Sequence, residues 1–171
     1  DVKTQHETAV LTNIQFMESV HAKSYSTIFS TLNTPDEIEE IFQWSDSEEY
    51  LQNKATRIAN MYLNPEEDPL KKKVANVFLE TFLFYSGFYT PLYYLGHNKL
   101  NNVAEIIKLI LRDESVHGTY IGYKFQVGMH DRTEKQQQDM KDWMYNFLCD
   151  LYSNEEDYTH ILYDQVGWTN D

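Results

Sequence analysis

Apolar residues recur every three or four positions along most of this chain, the spacing that places them on one face of a helix. The predicted helices cover residues 4–32, a short segment from 34, and residues 45–63, 69–96, 99–127, 134–152 and 154–166. Capping patterns begin several of them: Thr4 with Glu7, Thr34 with Pro35, and Ser45 with Glu48. Because no stretch alternates like a strand and no linker is visible, the pattern predicts one all-α domain spanning residues 1–171.

Glycine and proline mark the expected helix boundaries. A kink or break is predicted near Pro91, helix ends at Gly96 and Gly128, and a new helix capped by Ser153. Only 6 glycines and 4 prolines occur in 171 residues, which argues against a turn-rich all-β fold. The hydrophobic content of 42% argues against intrinsic disorder.

The uncharged stretch from residue 81 to 98 requires a membrane check. It contains no Asp, Glu, Lys or Arg, and most of its residues are apolar or aromatic. Its many tyrosines, together with Gly87 and Pro91, make it a poor spanning helix. A buried core helix is expected instead, and no membrane association.

Charge and cysteine content limit the partners and the compartment. The formal net charge is −13, and no basic cluster is long enough for a nucleic-acid interface, which needs grouped Lys and Arg. The single cysteine, Cys149, has no partner for an internal disulfide and is expected to be a buried, small apolar residue. A polar N-terminal stretch without the core of a signal peptide agrees with a cytoplasmic location.

Candidate chemistry lies in three apolar helices that carry unexpected carboxylates. Glu18 and His21 are one helical turn apart, and Glu114 and His117 repeat this Glu-x-x-His spacing. Glu80 is the only charged residue between Val74 and Asn98, so a buried position is expected for it. Such a carboxylate is costly unless it is protonated, paired or bound to metal.

Two facing Glu-x-x-His helices and further single carboxylates form the dimetal site of ferritin-like four-helix bundles. Spacing alone leaves metal ligands and satisfied core polar groups both open for these residues. Similar spacing at Asp157 and His160 lies in a polar setting and is expected at the surface. His6, His97 and His130 are also expected to be ordinary surface residues.

Tyr25 lies one turn beyond His21, on the same helix face. A phenol close to an oxidising dimetal centre could lose an electron and a proton, and inert neighbours would then protect the radical. Phe84, Phe88 and Ile110 lie four or eight residues from Glu80 or Glu114 and could line such a pocket. Their spacing alone is also that of ordinary core residues.

Three motifs resemble a known family. They are MESVHAKSY at 17–25, FLETFLFYSGFY at 78–89 and RDESVHGTYIGYKFQ at 112–126. In this order and spacing they are similar to the radical-generating small (R2) subunit of ribonucleotide reductase, with the manganese-using class Ib branch as the nearest match. The resemblance extends over essentially the entire chain and implies a ferritin-like four-helix-bundle core with additional helices.

The resemblance also implies roles for individual residues. The implied metal ligands are Glu18, His21, Glu80, Glu114 and His117. Tyr25 would be the site of the tyrosyl radical, with Phe84, Phe88 and Ile110 as its apolar pocket. Asp113 would be the carboxylate that orients His21 and takes part in radical transfer.

The family's reaction implies cofactors and partners. They are a dinuclear manganese or iron centre, a large catalytic subunit that reduces ribonucleotides to deoxyribonucleotides, a flavodoxin-like activating protein, and a second copy in a homodimer. The sequence leaves manganese and iron both open, because both accept oxygen and imidazole ligands.

The chain also departs from the family pattern. The family's further Asp ligand, on a preceding helix, has no counterpart here, and the early Trp of the transfer route and the C-terminal tail with its tyrosine are absent as well. We therefore expect a piece of a longer chain, one that alone binds metal weakly or asymmetrically and does not support turnover.

Two alternatives stay open beside the reductase subunit. Another dimetal carboxylate oxidase, or a ferroxidase and iron-storage protein, would share the ligands without needing an insulated Tyr25. A non-catalytic helical interaction module would contain satisfied core carboxylates and bind no metal in a fixed ratio.

Overall fold

The structure is a computed structural model that describes residues 4–168. Within that range it contains seven α-helices and no strand, which confirms the all-α prediction. The helices are α1 (Gln5–Leu32), α2 (Pro35–Ser47), α3 (Glu49–Leu63), α4 (Pro69–Phe78), α5 (Tyr85–Gly96), α6 (Asn101–Met129) and α7 (Glu134–Tyr163). A π-helix (Leu79–Leu83) joins α4 to α5, and a 3-10 turn (Asp164–Val166) follows α7.

Two of the four predicted helix caps occur. The Thr4 hydroxyl accepts the backbone N–H of Glu7, and Thr34 forms a complete capping box at the start of α2. The predicted cap at Ser45 is wrong, because α2 continues through it to Ser47. Glu48 caps α3 instead, where its carboxylate accepts the backbone N–H of Leu51 at 2.6 Å.

A break was one of the two outcomes predicted near Pro91, and it does not occur. Pro91 lies inside α5, which continues to Gly96 as expected. The interruption lies earlier, in the π-helix, where the Phe84 N–H reaches back five residues to the Leu79 carbonyl. A π-helix inserts one residue into an α-helix without any need for proline, so the sequence pattern did not reveal it.

Two further predicted boundaries lie inside helices. Gly128 does not end α6; its missing side chain allows a close contact with Leu70 of α4. Ser153 does not begin a new helix, because α7 is continuous. Asn154 and Glu155, which follow Ser153, are buried against α3 and do not cap a helix end.

The long helix α6 organises the part of the fold that carries the candidate site. Helices α1, α4 and α5 and the π-helix all pack against it, while α7 packs against α3 and α4. One core cluster joins Ile58, Leu83 and Leu151, and a second contains Phe88 and Ile110. As a result, α1, the π-helix and α6 surround a common interior region.

Two expectations about single segments can be compared with the structure. Among residues 4–168, no helix is both long and apolar enough to cross a membrane. Cys149 is exposed, contrary to the expected burial. The buried face of α7 includes Met140, Leu151 and Tyr158, and Cys149 is two residues, or about 200°, away from Leu151.

Candidate metal centre

Three elements bring the expected ligands to one place. Helix α1 carries Glu18 and His21, α6 carries Glu114 and His117, and the π-helix carries Glu80. Among the described residues, ligand atoms of Glu18, Glu80, Glu114 and His117 all lie within 4.8 Å of one another. Residues almost a hundred positions apart in the sequence therefore form one cluster.

His21 faces the same cluster and is held from its other side. Its Nδ1 lies 3.1 Å from Glu114 Oε1 and 3.5 Å from Glu18 Oε2. Its Nε2 is paired with the Asp113 carboxylate at 3.0 Å. Since a carboxylate on one ring nitrogen fixes the orientation of the other, Asp113 directs Nδ1 toward the cluster. The structure thus places Asp113 where the sequence resemblance implied.

Two carboxylates each lie between the two imidazole rings. Glu114 Oε1 and Oε2 lie 3.1 Å from the Nδ1 atoms of His21 and His117, respectively. Glu18 Oε1 lies 3.0 Å from His117, while its other oxygen faces His21. A carboxylate whose oxygens face different imidazoles is arranged as a bridge between two ions, each of which would have one histidine.

Glu80 enters the cluster from the π-helix with one oxygen already occupied. Asn76 donates a hydrogen bond of 3.0 Å to Glu80 Oε1, and it also donates to the Tyr62 hydroxyl. Glu80 Oε2 lies 3.9 Å from His117 Nδ1. Sequence reasoning missed Asn76, although its position four residues before the only carboxylate of this apolar segment was an available signal.

Buried polar atoms that make no hydrogen bond show that these residues fit a metal pair. Glu18 Oε1, His21 Nδ1 and Glu80 Oε2 are buried and have no hydrogen-bond partner within residues 4–168. Burial, and next the hydrogen bond and charge of Glu80, raise the pKa of the Glu114 carboxyl to about 9. Bound cations would remove the cost of the unbonded buried atoms, because they coordinate the free lone pairs. They would also remove the cost of ionising Glu114, because they supply positive charge.

The spacing of the donor atoms agrees with this conclusion. An octahedral cation about 2.1 Å from its ligands holds neighbouring donors about 3 Å apart. The imidazole-to-carboxylate distances of 3.0 and 3.1 Å match that separation. Carboxylate oxygens with one imidazole per ion form a donor set that suits manganese or iron.

Tyr25 is half-buried beside the cluster. Its ring packs against a group that includes Phe88 and Ile110, and Phe84 packs against the same group. Burial, followed by the nearby charges of Glu114 and Glu18, raises the pKa of the Tyr25 phenol to about 12. The ring also lines an apolar cavity of about 650 Å³, together with Leu83 and Phe88.

The other histidines noted in the sequence lie elsewhere. His6, His97 and His130 are exposed, in agreement with the surface positions expected for them. His160 is exposed as well, and its imidazole pairs with Asp164 at 3.1 Å. The Asp157 and His160 spacing therefore does not form part of the cluster.

Comparisons with known proteins agree along the whole sequence. The family model described as "Ribonucleotide reductase, small chain" matches residues 1–171. Ribonucleoside-diphosphate reductase subunit beta nrdF1 of Mycobacterium tuberculosis is 53% identical over 100% of this chain and 52% of its own length. Ribonucleoside-diphosphate reductase 2 subunit beta of Escherichia coli is 49% identical over 100% of this chain and 53% of its own length.

A solved structure shows the same fold. The crystal structure of Streptococcus sanguinis dimanganese(II)-NrdF matches with a TM-score of 0.94 and 67% identity, covering 98% of this chain and 59% of that one. The chain thus has a ferritin-like helical fold, and it spans about half the length of the curated relatives it matches. Together, the family model and these relatives show that the chain belongs to the ribonucleotide reductase small-chain family.

Proposed function

We propose that this chain is the metal- and radical-bearing part of the small subunit of a class Ib ribonucleoside-diphosphate reductase. The observation that carries the proposal is the position of Glu18 and Glu114, each with its two oxygens facing different imidazoles. In this role the ligands of the dinuclear centre are Glu18, His21, Glu80, Glu114 and His117. Family membership supports the same assignment.

Manganese or iron would occupy the centre. The similar Streptococcus sanguinis protein is a dimanganese(II) form, which favours manganese here. When bound and activated, the centre supplies the oxidising equivalent for the removal of one electron from Tyr25. A further aspartate from a segment outside residues 1–171 would complete the ligand set. Residues 1–171 would form a single domain.

Tyr25 would carry the radical. The phenol is protonated at neutral pH, since its pKa is raised to about 12, and its oxidation to a neutral radical releases a proton together with the electron. Phe84, Phe88 and Ile110 offer no group of comparable oxidisability and would insulate the radical on that side. Asp113, which is bonded to His21, would connect the centre to the route of radical transfer.

The proposed activity requires partners. A large catalytic subunit would receive the radical equivalent and reduce ribonucleotides to deoxyribonucleotides, and a flavodoxin-like protein would supply the oxidant for manganese. We further propose a homodimer and a cytoplasmic location. The relatives named as beta subunits of the reductase support the large-subunit partner.

The test uses the full-length protein that contains this sequence, loaded with Mn²⁺ or Fe²⁺ and activated. We expect two metals per chain and, with the large subunit, reduction of ribonucleoside diphosphates. Tyr25→Phe should retain both metals and lose the reduction. Metal-dependent oxidase or storage activity that survives in Tyr25→Phe would favour another dimetal carboxylate oxidase, or a ferroxidase and iron-storage protein. Absence of bound metal in the full-length protein would favour the interaction module.

A further inference from the structure

A buried ion pair lies outside the metal centre, between α3 and α7. Lys54 Nζ lies 2.9 and 3.0 Å from the two carboxylate oxygens of Glu155, and the two side chains are only 12% and 7% exposed. The ammonium group also lies over the ring of Tyr158, 4.2 Å from its centre. Neither Lys54 nor Glu155 contacts a proposed metal ligand through these interactions.

Stability alone does not explain why this pair is buried. Removing two charges from water costs about as much as their attraction returns, so apolar residues of similar size are often equally stable. Burial lowers the pKa of the Lys54 ammonium even though Glu155 lies beside it. The Lys54 ammonium is therefore expected to have a role beyond its pairing with Glu155, and its other hydrogen bonds indicate which.

Lys54 also binds the end of the π-helix. Its Nζ donates to the Leu83 carbonyl and to the Ser86 hydroxyl, both at 3.3 Å. At this junction the Gly87 N–H donates to the Phe84 carbonyl, so it is directed away from the α-helical partner it would otherwise have at Leu83. Lys54 thus supplies a donor to a carbonyl at the irregular point of the helix.

A second side chain holds the same junction from α7. The Tyr163 hydroxyl donates to the Ser86 carbonyl and accepts a hydrogen bond from Thr90. The segment that follows the π-helix is therefore fixed by side chains from α3 and α7. Glu80 is the metal-facing residue of this π-helix, three positions before Leu83.

We propose that Lys54, anchored by Glu155, is a positioning residue that holds the π-helix in the register that directs Glu80 Oε2 toward the metal pair. This inference rests on the proposed metal-binding function and adds a residue pair that acts through the backbone. Loss of the Leu83 contact would let the π-helix relax toward regular α-helix. Such a change would rotate Glu80 relative to His117.

The test compares Mn²⁺ binding by the full-length protein and a double variant, Lys54→Met with Glu155→Gln. This variant removes both charges at similar volume, so no lone charge stays buried. Calorimetric titration should show two sites in the parent. In the variant, one of the two sites should weaken about 10- to 100-fold, the range seen when groups that orient a metal ligand are lost.

Asn154→Ala is the matched control. Asn154 is the neighbour of Glu155 and also joins α7 to α3, through Asn53 at 2.7 Å and the Tyr50 carbonyl at 2.9 Å, but these contacts do not involve the π-helix. It should lower the melting temperature and leave both Mn²⁺ affinities at the parent values. A purely structural role for Lys54 would make the double variant behave in the same way.

Parent affinities at both sites in the folded double variant would overturn the proposal. If the double variant does not fold, Lys54→Arg, which keeps a positive charge beside Glu155 but replaces the ammonium that donates to the Leu83 carbonyl, should weaken the same single site to a smaller extent. Unchanged affinity there would also overturn it. A parent protein that binds no Mn²⁺ would overturn the proposed function and this inference together.

Discussion

At the scale of single residues, Glu114 is the proposed ligand whose ionised form a bound metal would stabilise most. It is 2% exposed, it lies between two imidazoles, and its pKa is raised to about 9 by burial and by Glu80. Without metal, the Glu114 carboxyl therefore stays protonated in the folded protein at pH values where it is ionised in the unfolded chain. Metal binding requires an ionised carboxylate at this position, whereas the stability of the metal-free fold favours a neutral side chain.

Glu114→Gln should consequently stabilise the metal-free protein while abolishing tight metal binding. Because the folded parent retains a proton that the unfolded state loses, the parent's stability falls as pH rises from about 4.5 to about 9. The variant has no such group, so its advantage over the parent should be larger at pH 8 than at pH 5, by up to about 4 kcal/mol. Urea unfolding of both metal-free proteins at pH 5 and pH 8 measures this difference. An equal difference at the two pH values would contradict the prediction.

The sequence indicated the five ligand candidates and Tyr25 because two Glu-x-x-His pairs and one isolated glutamate stand out in apolar helices. It did not indicate Asn76 or Lys54. The role of Lys54 depends on which helices become neighbours, since its ammonium reaches a carbonyl 29 positions away in the chain. In the sequence, Lys54 looks like an ordinary solvent-exposed residue of an amphipathic helix, and nothing near it indicates this contact.

At the scale of elements, the contact between α6 and the π-helix depends on Gly118. A Cβ at this position would collide with the Thr81 side chain, which belongs to the π-helix next to Glu80. By contrast, a Cβ at Gly122, one turn later on α6, would meet Val77 at an ordinary 3.9 Å. The two glycines thus form a matched pair within one helix.

Opposite effects are expected from alanine at these two positions. Gly118→Ala should lower the free energy of unfolding by about 1–3 kcal/mol, because the overpacked helices must separate. Gly122→Ala should raise it by up to about 1 kcal/mol, since alanine favours the helix. Chemical denaturation of both variants measures the difference. A stabilised Gly118→Ala would show that the close approach at Gly118 is absent, and a destabilised Gly122→Ala would contradict the space described at Gly122.

Helix starts with side-chain caps were predictable, whereas irregular helices were not. Thr4 and Thr34 cap their helices through local contacts that the sequence contains in full. The position of the π-helix depends instead on contacts from α3 and α7, and Pro91 is accommodated within α5. Ser153 resembled a cap only because the burial of Asn154 and Glu155 against α3 was not visible in the sequence.

At the scale of the whole molecule, Leu151 connects α7 to the core that supports the π-helix. It is fully buried in one cluster with Ile58 and Leu83. Leu151→Ala should lower the free energy of unfolding by about 2–5 kcal/mol. Tyr145→Ala, on the same helix but 59% exposed, should change it by no more than about 0.5 kcal/mol. Similar losses for the two variants in thermal unfolding would contradict this placement of the core.

In the proposed function, Tyr25 loses an electron to a metal pair held by α1, the π-helix and α6. Low-temperature EPR detects the resulting radical, in the full-length protein loaded with ferrous iron without oxygen and then exposed to air, and in Tyr25→Phe treated in the same way. A tyrosyl signal in the parent that is missing from the variant, with two irons bound in both, is the predicted result. Two bound irons without a tyrosyl signal in the parent would contradict the claim.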